Sequence, residues 1–296
     1  MALWRNYANS PTRTIATGWI NLIKILIIMK LNTILLSAAL CGSLSAFGWG
    51  QKGHDVTAAI AERHLTQATL DSINSILGGK SIVYYANWPD NACHTDEYAY
   101  TKTWHYRNID PDETYASAPR NEAGDVVSAI EEQVAILRNP SASKDDKWLA
   151  LVLTVHFLGD IHQPLHMGRL SDRGGNSHEI KYFGGKTNLH STWDSKLVES
   201  AHKWGYTEWV DQIDRADEAE TALILDGGTP LSWGEETYEI AKKVYDSTPE
   251  GTNVSYDYIA DWSPVIEQQF LRGGLRLADL LNGAFDPAYT QRNGLK

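Results

Sequence analysis

The feature that most limits the possible folds is an apolar run that ends in ionisable side chains. Between Asp145 and Leu158 the sequence is almost continuously apolar after Lys147, which predicts a helix buried on all sides. His156 and Asp160 are four residues apart at its end, so on a helix their β-carbons lie about 5–6 Å apart on one face. A buried carboxylate beside a buried imidazole needs a partner, and a metal cation suits both.

Helix signals recur over most of the chain. Apolar spacing and capping residues predict further helices at Asp55 to His64, Thr66 to Leu77, Asp125 to Leu137, Glu235 to Tyr245 and Asp257 to Leu281. The last of these is expected as one helix or two, with Gly273-Gly274 as the weak point. The one good strand candidate is Glu179 to Phe183, in a hairpin with Gly184-Gly185. The pattern predicts an all-α domain with long loops and at most a short β-hairpin.

The first 48 residues are typical of a secretory signal peptide preceded by a short extension. A basic start near Lys24 is followed by an apolar stretch from Leu31 to Leu44 and then by small residues. We expect cleavage between Gly48 and Trp49, and export to the periplasm or the medium. The alternative is an uncleaved membrane anchor that uses the apolar residues from Ile20 to Ile28, although a spanning helix needs about 20 apolar residues.

The rest of the chain has the composition of one acidic domain, residues 49–296. It contains no repeat, low-complexity tract or linker. The whole chain has 26 basic and 37 acidic residues, and the first 48 residues hold four of the basic and none of the acidic ones, which leaves a net charge of −15. Such a chain has no broad basic surface for a polyanion. This argument against nucleic-acid binding weakens if bound cations supply local positive charge.

The two cysteines cannot form a disulfide within the chain once the signal peptide is removed. Cys41 leaves with the first segment, and Cys93 stays alone. An exported protein without disulfides depends on its core or on metal ions for stability.

Further His and Asp residues repeat the pattern seen at the end of the buried helix. His190 and Asp194 are again four apart, while Asp90 and His105 lie upstream. A proline should end the buried helix and turn His166 to a different side. A single pair of this kind is usually a surface or capping interaction. Several pairs in a chain with few cysteines favour the nitrogen and oxygen ligands of catalytic zinc.

At this point the chain resembles the S1/P1 nuclease family, which is related in fold to bacterial zinc phospholipase C. The resemblance rests on motifs in family order: Trp49-Gly50, Gly53-His54, Trp88-Pro89-Asp90, Trp104-His105-Tyr106, the run from His156 to His166, Gly174-Gly175-Asn176, and His190 with Trp193-Asp194. The run His-Phe-Leu-Gly-Asp-Ile-His-Gln-Pro-Leu-His is the most specific of them. His162 within it lies off the face of His156 and Asp160, so we expect it to support the ligands and not to bind metal.

The resemblance implies three zinc ions per chain, held by nine residues. The three sets are Asp90, His105, His156 and Asp160; then the shared Asp160 with His54 and the free α-amino group and carbonyl oxygen of Trp49; and His166, His190 and Asp194. The α-amino group of Trp49 exists only after cleavage. Asp160 would bridge two ions about 3.5–4 Å apart, with a zinc-bound water as the nucleophile and the third ion beside the leaving oxygen.

The resemblance also implies the substrates. Single-stranded DNA and RNA would be cut to 5′-phosphorylated mononucleotides, with 3′-nucleotidase activity as a further expectation, and no stable protein partner is implied. Tyr106 and Asn108 stand where the family contacts a base. Cys93 stands near the position where the family leads us to expect a basic residue. The rivals are a zinc phospholipase C, a non-catalytic exported zinc-binding protein and a plain helical adhesion or structural module.

Overall fold

The computed structural model describes residues 49–118, 120–226 and 228–292. The predicted signal peptide, its cleavage point and the alternative anchor at Ile20 to Ile28 therefore lie outside the described residues. The α-helices are α1 (Gln51–Arg63), α2 (Gln67–Leu77), α3 (Ile82–Tyr85), α4 (Trp88–Ala92), α5 (Val126–Arg138), α6 (Lys144–Asp160), α7 (Leu189–Ser191), α8 (Leu197–Ala201), α9 (Tyr206–Ile213), α10 (Glu218–Leu225), α11 (Pro230–Ser247) and α12 (Tyr256–Phe285). Two 3-10 helices (Ala99–His105 and Pro164–Met167) and a π-helix (Thr192–Lys196) complete the helical segments of the described residues.

Helix α6 is the centre of the molecule, as its sequence predicts. It begins at a capping box in which the Ser143 hydroxyl accepts from the Asp146 amide at 3.0 Å, while the Asp146 carboxylate accepts from Ser143. Every residue from 150 to 160 is buried. The helix packs against α5, α1 and α12, so its last turn carries His156 and Asp160 into the interior.

Helix α12 is continuous through Gly273-Gly274, so of the two alternatives that the sequence left open the structure shows a single helix. A Cβ on Gly274 would lie 2.5 Å from the Cβ of Ile60, and one on Gly273 would lie 3.1 Å from the Cγ2 of Thr57. The two glycines therefore let α12 approach α1 closely. Packing of the two helices stabilises the segment in spite of the low helix propensity of glycine.

The predicted hairpin is present, with one strand more than the sequence indicated. Strands β1 (Glu179–Tyr182) and β2 (Gly185–Asn188) pair antiparallel, and a two-residue strand β3 (Asn253–Val254) pairs parallel to β1. A strand of two residues is too short to give an alternating pattern, which is why the sequence did not reveal it. The remaining structure is helical, so the predicted all-α fold class is confirmed.

Within the three described ranges, no helix has both the length and the apolar character that a bilayer crossing requires.

Candidate metal centre

Seven short or terminal helical segments bring eight His and Asp side chains into one buried region. Seven of the side chains are buried, and the eighth, on Asp90, is 23% exposed. The contributions in chain order are His54 from α1, Asp90 from α4, His105 from the first 3-10 helix, His156 and Asp160 from α6, His166 from the second 3-10 helix, His190 from α7 and Asp194 from the π-helix. They form three groups in which one ligand atom per residue lies within 4.8 Å of the others.

The first group contains Asp90, His105 and His156. His156 Nε2 lies 3.2 Å from Asp90 Oδ1 and 3.1 Å from Asp160 Oδ2, and His105 Nδ1 lies 3.0 Å from the same Asp160 oxygen. The other nitrogen of His156, Nδ1, donates to the carbonyl oxygen of Ala86 at 2.7 Å. This bond orients the ring and turns Nε2 toward the carboxylates of Asp90 and Asp160.

The second group contains His54, His156 and Asp160. The ring of His54 stacks on that of His156 with centroids 3.9 Å apart, and its Nε2 lies 3.5 Å from Asp160 Oδ1. Gly159 makes this packing possible, because a Cβ there would lie 2.6 Å from His54 Nδ1. Asp160 thus directs Oδ2 toward the first group and Oδ1 toward His54, which is the arrangement that a bridging carboxylate needs.

The third group contains His166, His190 and Asp194. His190 Nε2 lies 3.2 Å from Asp194 Oδ2. Each imidazole is held by a backbone carbonyl: His190 Nδ1 donates to Gly174 at 2.6 Å and His166 Nδ1 to His105 at 2.7 Å. The π-helical turn places Asp194 opposite them.

Burial and neighbouring charges together shift the pKa values of the ionisable groups in this region. Burial lowers the pKa of His54 to about 3, with His156 adding to the effect, so the imidazole is neutral and able to act as a ligand above that pH. Burial raises the pKa of Asp194 well above its usual range, although the bond from Gln163 opposes this. Burial also acts on Asp160, but His156 and His166 hold the pKa of that carboxyl well below its usual range.

Several nitrogen and oxygen atoms in these groups have no hydrogen-bond partner in the described residues, and metal ions would satisfy them. Among the described residues these include both ring nitrogens of His54 and one carboxylate oxygen each of Asp90, Asp160 and Asp194, all buried. A buried polar atom left without a partner costs about 1–3 kcal/mol, and more when the group is charged. Imidazole nitrogens and carboxylate oxygens at this spacing are the ligands that zinc takes in catalytic sites. The assignment of each side chain to zinc stays a prediction.

Trp49, the ninth predicted ligand, is tied to this region through its neighbour. Its side chain is buried and packs edge-on against Phe270 at 4.7 Å. The amide of Gly50 donates to the backbone oxygen of Asp194 at 2.7 Å. A Cβ on Gly50 would lie 2.5 Å from Ser195 Oγ, so only glycine allows the backbone at residue 50 to lie this close to the π-helix.

The predicted substrate residues Tyr106 and Asn108 lie beside the third group. They line a cavity of about 120 Å³ together with His166, Leu170, Arg173, Asn176 and His190. Gly174, at φ +64, packs against Asn108, since a Cβ there would lie 3.1 Å from Asn108 Oδ1. The cavity therefore lies directly beside the imidazoles of His166 and His190.

Two residues that the sequence analysis set apart have other partners. His162 donates from Nδ1 to the Leu158 carbonyl at 2.7 Å and accepts at Nε2 from Arg276 at 3.0 Å, so it does not face the metal groups. Cys93 is fully buried, and its thiol donates to the Asp90 carbonyl at 3.4 Å. Burial raises the pKa of Cys93 to about 11, which keeps it a thiol and a poor ligand.

Gln163 is a supporting residue that the sequence analysis missed. Its amide donates from Nε2 to Asp194 Oδ1, and its Oε1 accepts from the Leu165 amide at 2.5 Å. It thereby couples the turn that carries His166 to the carboxylate of the third group. Its place between His162 and Pro164 in the most specific motif was visible, but no spacing rule points to a glutamine in this role.

A helical protein with buried His and Asp groups beside an open cavity has the architecture of a metal-dependent hydrolase. The comparison with known sequences gives the family. A sequence model described as S1/P1 Nuclease matches residues 49–286, and the chain belongs to this family. The predicted family and enzyme class are confirmed: the protein is a nuclease, a hydrolase of nucleic-acid phosphodiester bonds.

Named relatives are similar to this chain over most of its length. Nuclease S1 of Aspergillus oryzae is 30% identical over 284 residues, which cover 83% of this chain and 95% of the relative. Endonuclease 4 of Arabidopsis thaliana is 29% identical over 283 residues, covering 86% and 92%. Nuclease P1 of Penicillium citrinum is 26% identical over 268 residues, covering 79% and 97%.

Proposed function

We propose that the protein is an exported nuclease that uses three zinc ions to cut single-stranded DNA and RNA into 5′-phosphorylated mononucleotides, with 3′-nucleotidase activity as a second reaction. The observation that carries the proposal is the convergence of eight His and Asp side chains into three groups within 4.8 Å, with buried donor atoms that lack hydrogen bonds in the described part of the chain. Buried polar atoms of this kind need cations.

The three zinc ions would be held by the three predicted sets, with Asp160 shared between two of them. The two oxygens of Asp160 face different groups, at 3.0 Å from His105 and 3.5 Å from His54, which supports the shared role. When bound, zinc in such a site supplies a nucleophile near neutral pH and positive charge for the phosphate. Three of the five imidazoles, those of His156, His166 and His190, hold their ring orientation through backbone carbonyls, which organises this part of the centre before substrate arrives.

Tyr106 and Asn108 would bind the base next to the scissile phosphate. Their cavity borders His166 and His190, so a base in it brings its sugar and phosphate to the third group. Stacking of the base on the Tyr106 ring would contribute about 1–3 kcal/mol. Asn108 Oδ1 is buried and has no hydrogen-bond partner in the described residues, and it would accept a hydrogen bond from an N–H group on the base edge.

Preference for single strands follows from the shape and charge of the site. A cavity of about 120 Å³ accepts a base only after it leaves the stack, which costs least in a single strand. The net charge of −15 after removal of residues 1–48 disfavours a broad grip on a duplex. Rates on matched single- and double-stranded oligonucleotides test this preference, and faster cleavage of the duplex would contradict it.

The argument for export rests on Trp49, because this residue has a free α-amino group only after the signal peptide is cleaved. An α-amino group has a pKa of about 7.7–8.0, so it is available as a ligand near neutral pH. The bond from Gly50 to Asp194 supports a place for residue 49 near the ligands. A chain that keeps Gly48 before Trp49 should bind less zinc than the chain that begins at Trp49. Equal zinc content in the two would remove this argument for export.

The deciding experiment is elemental analysis of protein with an authentic Trp49 start, together with an assay on single-stranded DNA before and after chelation. About three zinc ions per chain, with activity lost to the chelator and restored by zinc, is the expected result. Bound zinc without nucleic-acid cleavage would favour a phospholipase or a zinc-binding protein. Absence of zinc would overturn the ligand assignment.

A further inference from the structure

The cavity lined by Tyr106 and Asn108 also contains an arginine with unused hydrogen-bonding capacity. Arg173 lines the same cavity as His166 and His190. In the described ranges its guanidinium has no hydrogen bond or ion pair, whereas other arginines nearby are engaged, such as Arg169 on the ring of Tyr245 at 4.1 Å. An exposed arginine at a cavity wall is a set of five donors in a fixed planar fork.

The backbone of Arg173 is in an unusual conformation that fixes where this fork starts. Its φ is +60°, in the left-handed region, which costs free energy for a residue with a Cβ. The loop maintains it: the Arg173 amide donates to Leu170 at 3.1 Å, and Asn176 Nδ2 donates to the Arg173 carbonyl at 3.0 Å. Such outliers persist where the surrounding structure requires them, commonly at binding sites.

We propose that Arg173 makes the enzyme select guanine in this cavity; the inference rests on the proposed nuclease function. Arg173 and Asn108 line the same cavity and have opposite hydrogen-bonding character. Arg173 is a donor, whereas Asn108 offers a buried acceptor oxygen that has no partner among the described residues. Guanine matches both, since O6 and N7 accept from a guanidinium while N1–H and the N2 amino group donate to a carbonyl oxygen.

The other bases match the pair less well. Adenine and cytosine carry an exocyclic amino group where guanine or thymine carries an oxygen, and its hydrogens would meet the donor-only guanidinium. Thymine and uracil present a single acceptor at that edge. Tyr106 stacks on any of the four, because every base has a π-face. Hence stacking supplies affinity that is independent of sequence, and Arg173 supplies the choice among bases.

The test compares the four homodinucleotides GpG, ApA, CpC and UpU as substrates of the zinc-loaded enzyme. The expected result is a kcat/KM for GpG at least about tenfold above that for ApA, as a bidentate arginine contact to guanine provides. Arg173→Met should reduce this ratio to within about twofold, mainly through a lower kcat/KM on GpG. Arg173→Lys should give an intermediate ratio, since the charge stays but the planar fork is lost.

Controls separate base selection from folding and from general charge. Arg173→Asn removes the guanidinium in a residue that tolerates positive φ, so its melting temperature should not fall and it should match Arg173→Met in selectivity. Arg169→Met removes the same charge four residues away, outside the cavity lining, and should keep the GpG preference. Binding of guanosine and adenosine 5′-monophosphates by calorimetry gives a readout without turnover, in which the guanosine preference should disappear in Arg173→Met.

Each other outcome overturns a defined claim. An equal loss on all four dinucleotides in Arg173→Met would show that the arginine contacts phosphate and would overturn base selection. A wild-type enzyme that cuts all four at similar rates would do the same while leaving the nuclease proposal intact. Failure to cut any of them, with zinc bound, would overturn the proposed function and this inference together.

Discussion

If the proposed three-zinc centre is present, replacement of Gly159 by alanine should remove one zinc ion from it. In the wild-type structure the Cβ of such an alanine would lie 2.6 Å from His54 Nδ1 and 3.1 Å from His54 Cε1. Non-bonded carbon and nitrogen atoms favour about 3.5–4.0 Å. The His54 ring must therefore move by roughly 0.9 Å or more from α6, whereas ligand distances in metal sites hold to about 0.2 Å. His54 would no longer reach an ion beside Asp160.

The energetic effect on folding is small by comparison. Overpacking of this kind costs about 1–3 kcal/mol. Alanine gains back up to about 1 kcal/mol of helix propensity over glycine, so the net loss is about 0–2 kcal/mol. The protein should stay folded while its zinc content falls from about three to about two and its kcat falls by about 10- to 100-fold.

Gly273→Ala is the matched control for this variant. Its Cβ would press on Thr57 Cγ2 at 3.1 Å in the same core without contacting a proposed ligand. It should lower the melting temperature while keeping three zinc ions and activity. Elemental analysis, thermal unfolding and cleavage of single-stranded DNA check both variants. Three zinc ions and full activity in Gly159→Ala would refute the close packing of His54 on α6 as a requirement of the centre.

Three further predictions concern neighbouring side chains. Burial raises the pKa of Asp55 to about 6, although the bond from Asn87 opposes this, so the folded state binds the proton more tightly than the unfolded one. The free energy of unfolding should therefore fall as pH rises from about 4 to 6. Thermal melts across that range should show that Asp55→Asn loses this pH dependence. Gln163→Ala should weaken zinc binding at the third group by about 10- to 100-fold, measured by chelator competition, whereas an unchanged affinity would argue against its supporting role. The Cys93 thiol is buried and its pKa is raised to about 11, so it should resist thiol reagents in the native protein and react after denaturation. Cys93→Ser should keep its zinc. Rapid labelling of the native thiol would contradict the burial.

Helix α6 and the His and Asp residues were accessible from the sequence, because both depend on strong local signals. A long apolar run with ionisable residues at its end favours a buried helix, and α6 is buried from 150 to 160. The spacing of four between His190 and Asp194 was visible too. Their placement on a very short α-helix followed by a π-helical turn was not, since no residue pattern specifies a π turn.

The contacts that the sequence could not reveal are those between distant segments. In the sequence Gly159 looks like an ordinary residue of low helix propensity, and only the structure shows that it packs against His54, 105 positions earlier. Gly273 and Gly274 read as a break in a helix until α1 is seen beside them. In each case the side chain is absent because another element occupies its space, and sequence periodicity carries no information about that partner.

The acidic composition, which first argued against a nucleic-acid role, is compatible with the structure once charge is counted locally. Three zinc ions in the proposed centre would bring six positive charges against the carboxylates of Asp90, Asp160 and Asp194. The surplus would lie at the cavity mouth, close to the scissile phosphate, and the rest of the surface would stay anionic. Substrate binding should then depend on the metal and on one stacked base more than on surface lysines. That distribution suits an enzyme that takes single nucleotides of a flexible strand and releases a charged product readily.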